Sequence, residues 1–241
     1  MKFGIIGHPV AGSMSPVLFT AAYDGRYPYD LLDFDNFADA WACFQEGYDG
    51  INVTAPYKQD AFAAVPHLSQ NAQRSGAVNL VVKRPEGLFG YNTDVDGVVF
   101  ALQEAGVSGA DALVVGAGGA ARAAVVAAQS LGLGVTVCNR TFAKAAALAS
   151  ALRCDVVPME DVAALSPSLV IYTLPGSAPV PPGLPFSGAF VLEAEYKKPV
   201  LAGVPCRRYI SGRRWLLGQA VTGYSLFTGE APSQEKMLRV L

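Results

Sequence analysis

ALVVGAGGAAR, residues 112–122, sets four apolar residues before a glycine-rich turn and small residues after it. Ala112–Val115 predicts a buried strand, and the small residues running to Ser130 predict a helix. Between them Gly116-Ala117-Gly118-Gly119-Ala120-Ala121 fits G-x-G-x-x-G/A, with Ala121 in the last place. Glycine permits the tight turn and lets the backbone approach a pyrophosphate, while the helix N-terminus offers N–H groups and partial positive charge. The motif alone is weak, but the next predicted strand, Gly134–Cys138, also falls where a dinucleotide fold needs it. Gly116, Gly118, Gly119 and Ala120 are therefore the candidate phosphate-binding residues, the alternative being a purely structural turn.

That next strand ends at Cys138-Asn139-Arg140-Thr141, where an NAD site usually carries Asp or Glu for the ribose hydroxyl. Here no acid occurs until Asp155. Arg140 is placed to pair with a 2′-phosphate through its planar guanidinium. Thr141 adds a hydroxyl and Lys144 lies one helical turn further on. Asn139, Arg140, Thr141 and Lys144 thus point to NADP as cofactor, against the plainer reading of Arg140 as a solvated surface charge.

Outward from this core, strands and helices alternate, which predicts an α/β fold with parallel sheets covered on both faces. Before the glycine loop the expected elements are strands at Lys2–Ile6, Tyr29–Phe34, Ile51–Thr54, Ala77–Lys83 and Leu88–Tyr91. Helices are expected from Ser15-Pro16, from Asn36 to Phe44, at Tyr57–Val65 and at Asp94–Ala105. Beyond it, strands are expected at Leu169–Thr173 and Ala189–Leu192, a proline-rich loop over 174–188, and a last helix at Arg214–Thr228. The 241 residues are 51% hydrophobic and 16% charged, enough for a sizeable core. A net charge of −2 without basic runs argues against nucleic-acid and membrane-surface partners. Cys43, Cys138, Cys154 and Cys206 are scattered and only two histidines are present, so neither a disulfide framework nor a metal site is expected. Free thiols and the short apolar run in MKFGIIGHPV lead to an expected cytoplasmic location.

The first hundred residues carry polar groups where a core would not place them. Ser13 and Ser15 stand at a helix start, Thr54 and Lys58 follow a strand in INVTAPYK (51–58), Asn79 ends an apolar run, and Asp94 opens a helix after Asn92-Thr93. Taken singly, each reads as a cap or a turn residue. Together with Gly7-His8-Pro9, Gly90–Gly97, Gly116–Arg122, Asn139-Arg140-Thr141 and Gly218-Gln219-Ala220, they resemble the shikimate dehydrogenase family nearly end to end and in order.

The resemblance implies reversible NADP-dependent oxidoreduction of shikimate and 3-dehydroshikimate. It implies Lys58 and Asp94 as the proton-transfer pair, and Ser13, Ser15, Thr54, Asn79, Tyr196 and Gln219 as substrate contacts. An ammonium beside a carbonyl that receives hydride stabilises the charge growing on oxygen and can supply its proton. It further implies an N-terminal α/β substrate domain (1–97 with 213–241), a Rossmann-type NADP domain (98–212), a crevice between them, and a monomer or homodimer. Tyr172-Thr173-Leu174-Pro175 replaces the usual N-A-T-P, and Glu193-Ala194-Glu195-Tyr196 replaces D-x-x-Y. The competing readings are a quinate or aminoshikimate dehydrogenase and a non-catalytic relative that binds NADPH or a ring acid.

Overall fold

The first strand, β1 (Phe3–Gly7), is buried along its whole length. It lies parallel to β2 (Tyr29–Asp33) on one side and to β3 (Gly50–Val53) on the other. The computed structural model describes residues 1–241 as two compact units, Met1–Thr93 with Gln219–Leu241, and Asp94–Gly218.

In the first unit, helices α1 (Ser15–Tyr23), α2 (Phe37–Gly47), α3 (Lys58–Ala64) and α4 (Gln70–Ser75) alternate with β1–β3 and the short β4 (His67–Leu68). β5 (Leu80–Arg84) and β6 (Gly87–Tyr91) close the series, and the sheet order is β2-β1-β3-β5-β6-β4. This sheet is mixed, contrary to the expected parallel arrangement. β5 runs antiparallel to both β3 and β6. Its pairing with β6 must be antiparallel because only Pro85-Glu86 separates the two strands, whereas a parallel pair needs a crossover. The strand expected over Ala77–Lys83 begins only at Leu80. The segment before it gives its backbone elsewhere: Val78 N–H to the Lys58 carbonyl and Asn79 N–H to the Tyr91 carbonyl, each 2.9 Å. Asn36 caps α2 as expected, accepting from Asp39 N–H at 2.9 Å. Ser15 does not cap α1. Met14 holds the N-cap position without a side-chain bond, and the Ser15 hydroxyl faces Ser13 instead.

In the second unit, α5 (Thr93–Glu104) leads into β7 (Asp111–Val115), α6 (Gly119–Ser130), β8 (Gly134–Cys138), α7 (Phe142–Leu152) and β9 (Asp155–Val156). A 3₁₀ turn at Met159–Ala164, then β10 (Leu169–Tyr172), β11 (Phe190–Glu193) and β12 (Arg208–Ile210), complete the sheet. All pairings are parallel and the order is β12-β11-β10-β7-β8-β9. Counted within this unit, that is 3-2-1-4-5-6, the doubly wound dinucleotide-binding order. Side chains alternate across the sheet. Ala112 and Val114 join the alanine- and valine-rich face of α6, while Leu113 and Val115 pack with Val170, Tyr172, Val191 and Leu201 on the other side.

Helix α8 (Gly212–Thr228) contributes Gly212–Gly218 to the second unit and Gln219–Thr228 to the first. It is not the last helix: α9 (Gln234–Val240) follows, capped by Ser233, with Met237 fully buried. No helix is long and apolar enough to cross a membrane, and no group of His, Cys, Asp and Glu could hold a metal ion.

Candidate active site

The second unit holds a cavity of about 640 Å³ at the carboxyl ends of β7, β8 and β10. Gly116, Ala117 and Gly118 form one wall, and Asn139, Arg140, Thr141 and Lys144 another. Two of the glycines have separate reasons to be glycine. Gly116 has φ +124°, and a Cβ there would come within 2.2 Å of Thr173 Oγ1. That hydroxyl is itself fixed, donating to the Val115 carbonyl at 2.9 Å. At Gly118, the N-cap of α6, a Cβ would meet no protein atom within 4 Å. The protein leaves open space there, which a pyrophosphate approaching the helix N-terminus would use. Gly119 and Ala120 form the first turn of α6 behind it, and Ala121, fully buried, lets the helix sit close to the sheet.

Asn139 shapes the second wall by donating its amide to the Thr141 carbonyl at 3.1 Å. Thr141 is the N-cap residue of α7 but makes no side-chain cap bond, leaving its hydroxyl to the cavity. Arg140 and Lys144 are exposed on the same side. The third wall is Met159, Thr173, Leu174, Pro175 and Ala178–Pro182; of these, sequence reasoning marked only Thr173-Leu174-Pro175, as a departure from the family's N-A-T-P, and missed the rest. Its signal was present in the prolines of 174–188, which stiffen a loop enough to serve as a preformed surface. Size, glycine cradle and basic rim suit a dinucleotide phosphate with an added 2′-phosphate.

In the first unit Ser13, Ser15, Asn79 and Gln219 share one hydrogen-bonded network with Tyr29, Asn52 and Thr93. Ser13 Oγ donates to Ser15 Oγ at 3.1 Å and accepts from Ser15 N–H at 3.2 Å. The Asn52 amide donates to the Asn79 carbonyl at 3.3 Å. Asn79 Oδ1 accepts from Thr93 N–H at 2.7 Å, and its Nδ2 donates to Thr93 Oγ1 at 3.1 Å. Thr93 Oγ1 donates in turn to Gln219 Oε1 at 3.4 Å. Tyr29 bridges the two ends: its hydroxyl donates to Asn52 Oδ1 at 2.7 Å and also meets Ser15. Burial and the neighbouring Tyr224 hold the Tyr29 phenol well above its ordinary range, the Ser15 contact opposing them, so it stays a neutral donor. Ser15, Asn52, Asn79, Thr93 and Gln219 are all buried, which makes this an expensive place for polar groups without a purpose. The floor is aromatic: Phe19 packs 4.9 Å from Tyr29 and 4.8 Å from Tyr224, whose hydroxyl donates to the Ser15 carbonyl at 3.1 Å.

Thr54 and Lys58 belong to the same unit. Thr54 N–H donates to the Ile6 carbonyl at 2.9 Å, and its methyl occupies the space a Cβ on Gly7 would need. A cis Ala55-Pro56 bond follows, and partly exposed Lys58 opens α3. Asp94 lies in the first turn of α5, next to Thr93, and Tyr196 follows β11; both are in the second unit.

Two family models match the chain: the shikimate dehydrogenase substrate-binding domain over residues 5–81, and shikimate/quinate 5-dehydrogenase over residues 100–173. The NADP(+) shikimate dehydrogenase of Acidiphilium cryptum is 36% identical, over 95% of this chain and 91% of its own. The chain belongs to the shikimate dehydrogenase family. The Haloarcula marismortui NADP(+) shikimate dehydrogenase is 37% identical over 98% of this chain and 96% of its own. Among solved structures, Thermus thermophilus shikimate 5-dehydrogenase in complex with NADP(H) and shikimate superposes with TM-score 0.85 at 30% identity, covering both chains fully. A quinate dehydrogenase from Corynebacterium glutamicum in complex with NAD also reaches 0.85, at 26% identity over 99% and 97% of the two chains.

Proposed function

We propose that the protein interconverts shikimate and 3-dehydroshikimate with NADP. The observation that carries this reading is the network linking Ser13, Ser15, Asn79 and Gln219 within a family whose NADP-dependent members resemble the chain over almost its whole length. In it, Ser13, Ser15, Thr54, Asn79, Tyr196 and Gln219 bind the carboxylate and hydroxyls of the ring. Lys58 holds the proton at the reacting ring oxygen, and Asp94 orients its ammonium. Such positioned acid–base groups contribute about 10²–10⁴-fold to rate.

NADP supplies and accepts hydride when bound. Gly116, Gly118, Gly119 and Ala120 would hold its pyrophosphate, while Asn139, Arg140, Thr141 and Lys144 would hold its adenosine phosphate. The division of labour we propose assigns residues 1–97 with 213–241 to the substrate and 98–212 to the cofactor. The two compact units, with boundaries at Thr93 and Gly218, support it. The test is turnover of the purified protein with shikimate and NADP, followed as reduced nicotinamide. Steady production of 3-dehydroshikimate is expected; cofactor binding without turnover would favour the non-catalytic reading instead.

A further inference from the structure

Two carboxylates at the end of β11 and just beyond it have no part in the proposed chemistry, yet both are engaged with backbone N–H groups. Glu193 ends β11 with no exposed surface. Its Oε1 accepts from Val200 N–H at 2.7 Å, and its Oε2 from Leu201 N–H at 3.1 Å and the Tyr209 hydroxyl at 2.8 Å. This anchors the far end of the loop that carries Tyr196. Glu195 holds the near end: its Oε1 accepts from Lys197 N–H at 2.7 Å and from Lys198 N–H at 3.3 Å. The same carboxylate also accepts from Gly176 N–H, in the other loop. Gly176 is packed against it, since a Cβ there would come within 2.8 Å of the Lys198 carbonyl and 3.1 Å of Glu195 Cγ.

Gly176 directly follows Thr173-Leu174-Pro175, which wall the cofactor cavity, and Tyr196 lies between Glu195 and Lys197. We propose that Glu195 is a positioning residue that clasps the cavity wall to the Tyr196 loop, so that cofactor affinity and the placement of Tyr196 on the ring acid depend on one carboxylate. The inference rests on the function proposed above. Burial pushes this acid upward, but the N–H groups of Lys197, Lys198 and Gly176 outweigh it and hold it below the usual carboxylate range. It is therefore ionised at neutral pH, and charge-assisted bonds to backbone N–H groups are the stronger kind.

The test compares Glu195→Ala, Glu195→Gln and Tyr196→Ala with the wild type. Glu195→Ala should raise KM for NADP and for shikimate together, each about tenfold, the size of a lost charge-assisted contact. Tyr196→Ala should raise KM for shikimate alone. The double variant should bind shikimate no worse than Tyr196→Ala, because Glu195 acts on the ring acid through that loop. Glu195→Gln, which keeps one acceptor oxygen, should recover part of the loss. A cofactor titration and amide exchange at Gly176, Lys197 and Lys198 read the clasp without turnover, and all three amides should exchange faster in Glu195→Ala. Unchanged exchange at Gly176 with NADP affinity within twofold of wild type would overturn the clasp, as would multiplicative KM effects in the double variant. A wild type that turns over no ring acid would instead overturn the functional reading, leaving the exchange and titration results to judge the clasp.

Discussion

Lys58 stands at the first position of α3, separated from the end of β3 by four residues and two positions after Pro56 of the cis Ala55-Pro56 bond. If it carries the proton, Lys58→Ala should lower kcat by about 10²–10⁴-fold while KM for shikimate stays within a few-fold. A kcat within threefold of wild type would remove Lys58 from the mechanism. Tyr29 makes a different demand. Its hydroxyl is the donor to buried Asn52 Oδ1, so Tyr29→Phe strands that acceptor at a cost of about 1–3 kcal/mol. Thermal melts should show the loss, and KM for shikimate should rise because the network spanning Ser15 to Asn79 loses its bridge. An unchanged melting temperature would show that Tyr29 is dispensable to it. The two residues were not equally legible. Lys58, Ser13, Ser15 and Asn79 stand where a core would not place polar groups but read singly as caps or turns, and they and Gln219 stood out only together, through the family resemblance. Tyr29 begins a strand, where an aromatic ring reads as core, and only the pairing of β1 with β2 and β3 brings its hydroxyl to Asn52.

At the scale of elements, the proposed cofactor preference rests on β8 and the turn after it. Arg140→Ala should weaken NADP far more than NAD, by about 1.5–3 kcal/mol for a lost charge-assisted pairing with the 2′-phosphate. Titrations with both cofactors check this, and equal losses would contradict it. The residue two places earlier makes a second prediction. Burial pushes the Cys138 thiol up to about 12, so almost no thiolate forms at pH values near 8. In the native protein Cys138 should resist alkylation while partly exposed Cys43, Cys154 and Cys206 react. Peptide mapping after labelling reads this directly, and rapid modification of Cys138 would mean that β8 opens. Strand β8 and helix α6 were readable because each is long enough to show its period. β4 and β9 have two residues each and β12 three, too few for a pattern, and they exist because neighbouring strands offer unpaired edges. The loop 174–188 was legible as a loop but not as a cavity wall, since that role depends on β10 ending beside Gly116.

For the whole molecule, the notable feature is that the chain returns to where it began. Phe227 of α8 stacks on Phe3 at 4.8 Å, and a Cβ on Gly50 would strike its ring at 2.7 Å. Helix α9 is tied to α1 by Ser233 N–H donating to the Ala22 carbonyl at 3.0 Å and by Lys236 reaching Asp24 at 2.7 Å. That return places Gln219 in the unit of Ser13 and Asn79, although it follows Ser13 by 206 positions and Asn79 by 140 in sequence. Apart from the apolar spacing of the late helix, little in the local sequence announces such a closure; it was expected from the family resemblance, which puts substrate contacts at both ends of the chain. The claim that this assembly is an NADP-dependent shikimate dehydrogenase is tested most directly by one set of steady-state assays: kcat/KM for shikimate and for quinate, each with NADP and with NAD. Shikimate with NADP should be the best pair, and NAD should be about 10- to 150-fold worse, the ratio that 1.5–3 kcal/mol at the 2′-phosphate gives. A preference for quinate, equal use of NAD, or no turnover with any pair would contradict it.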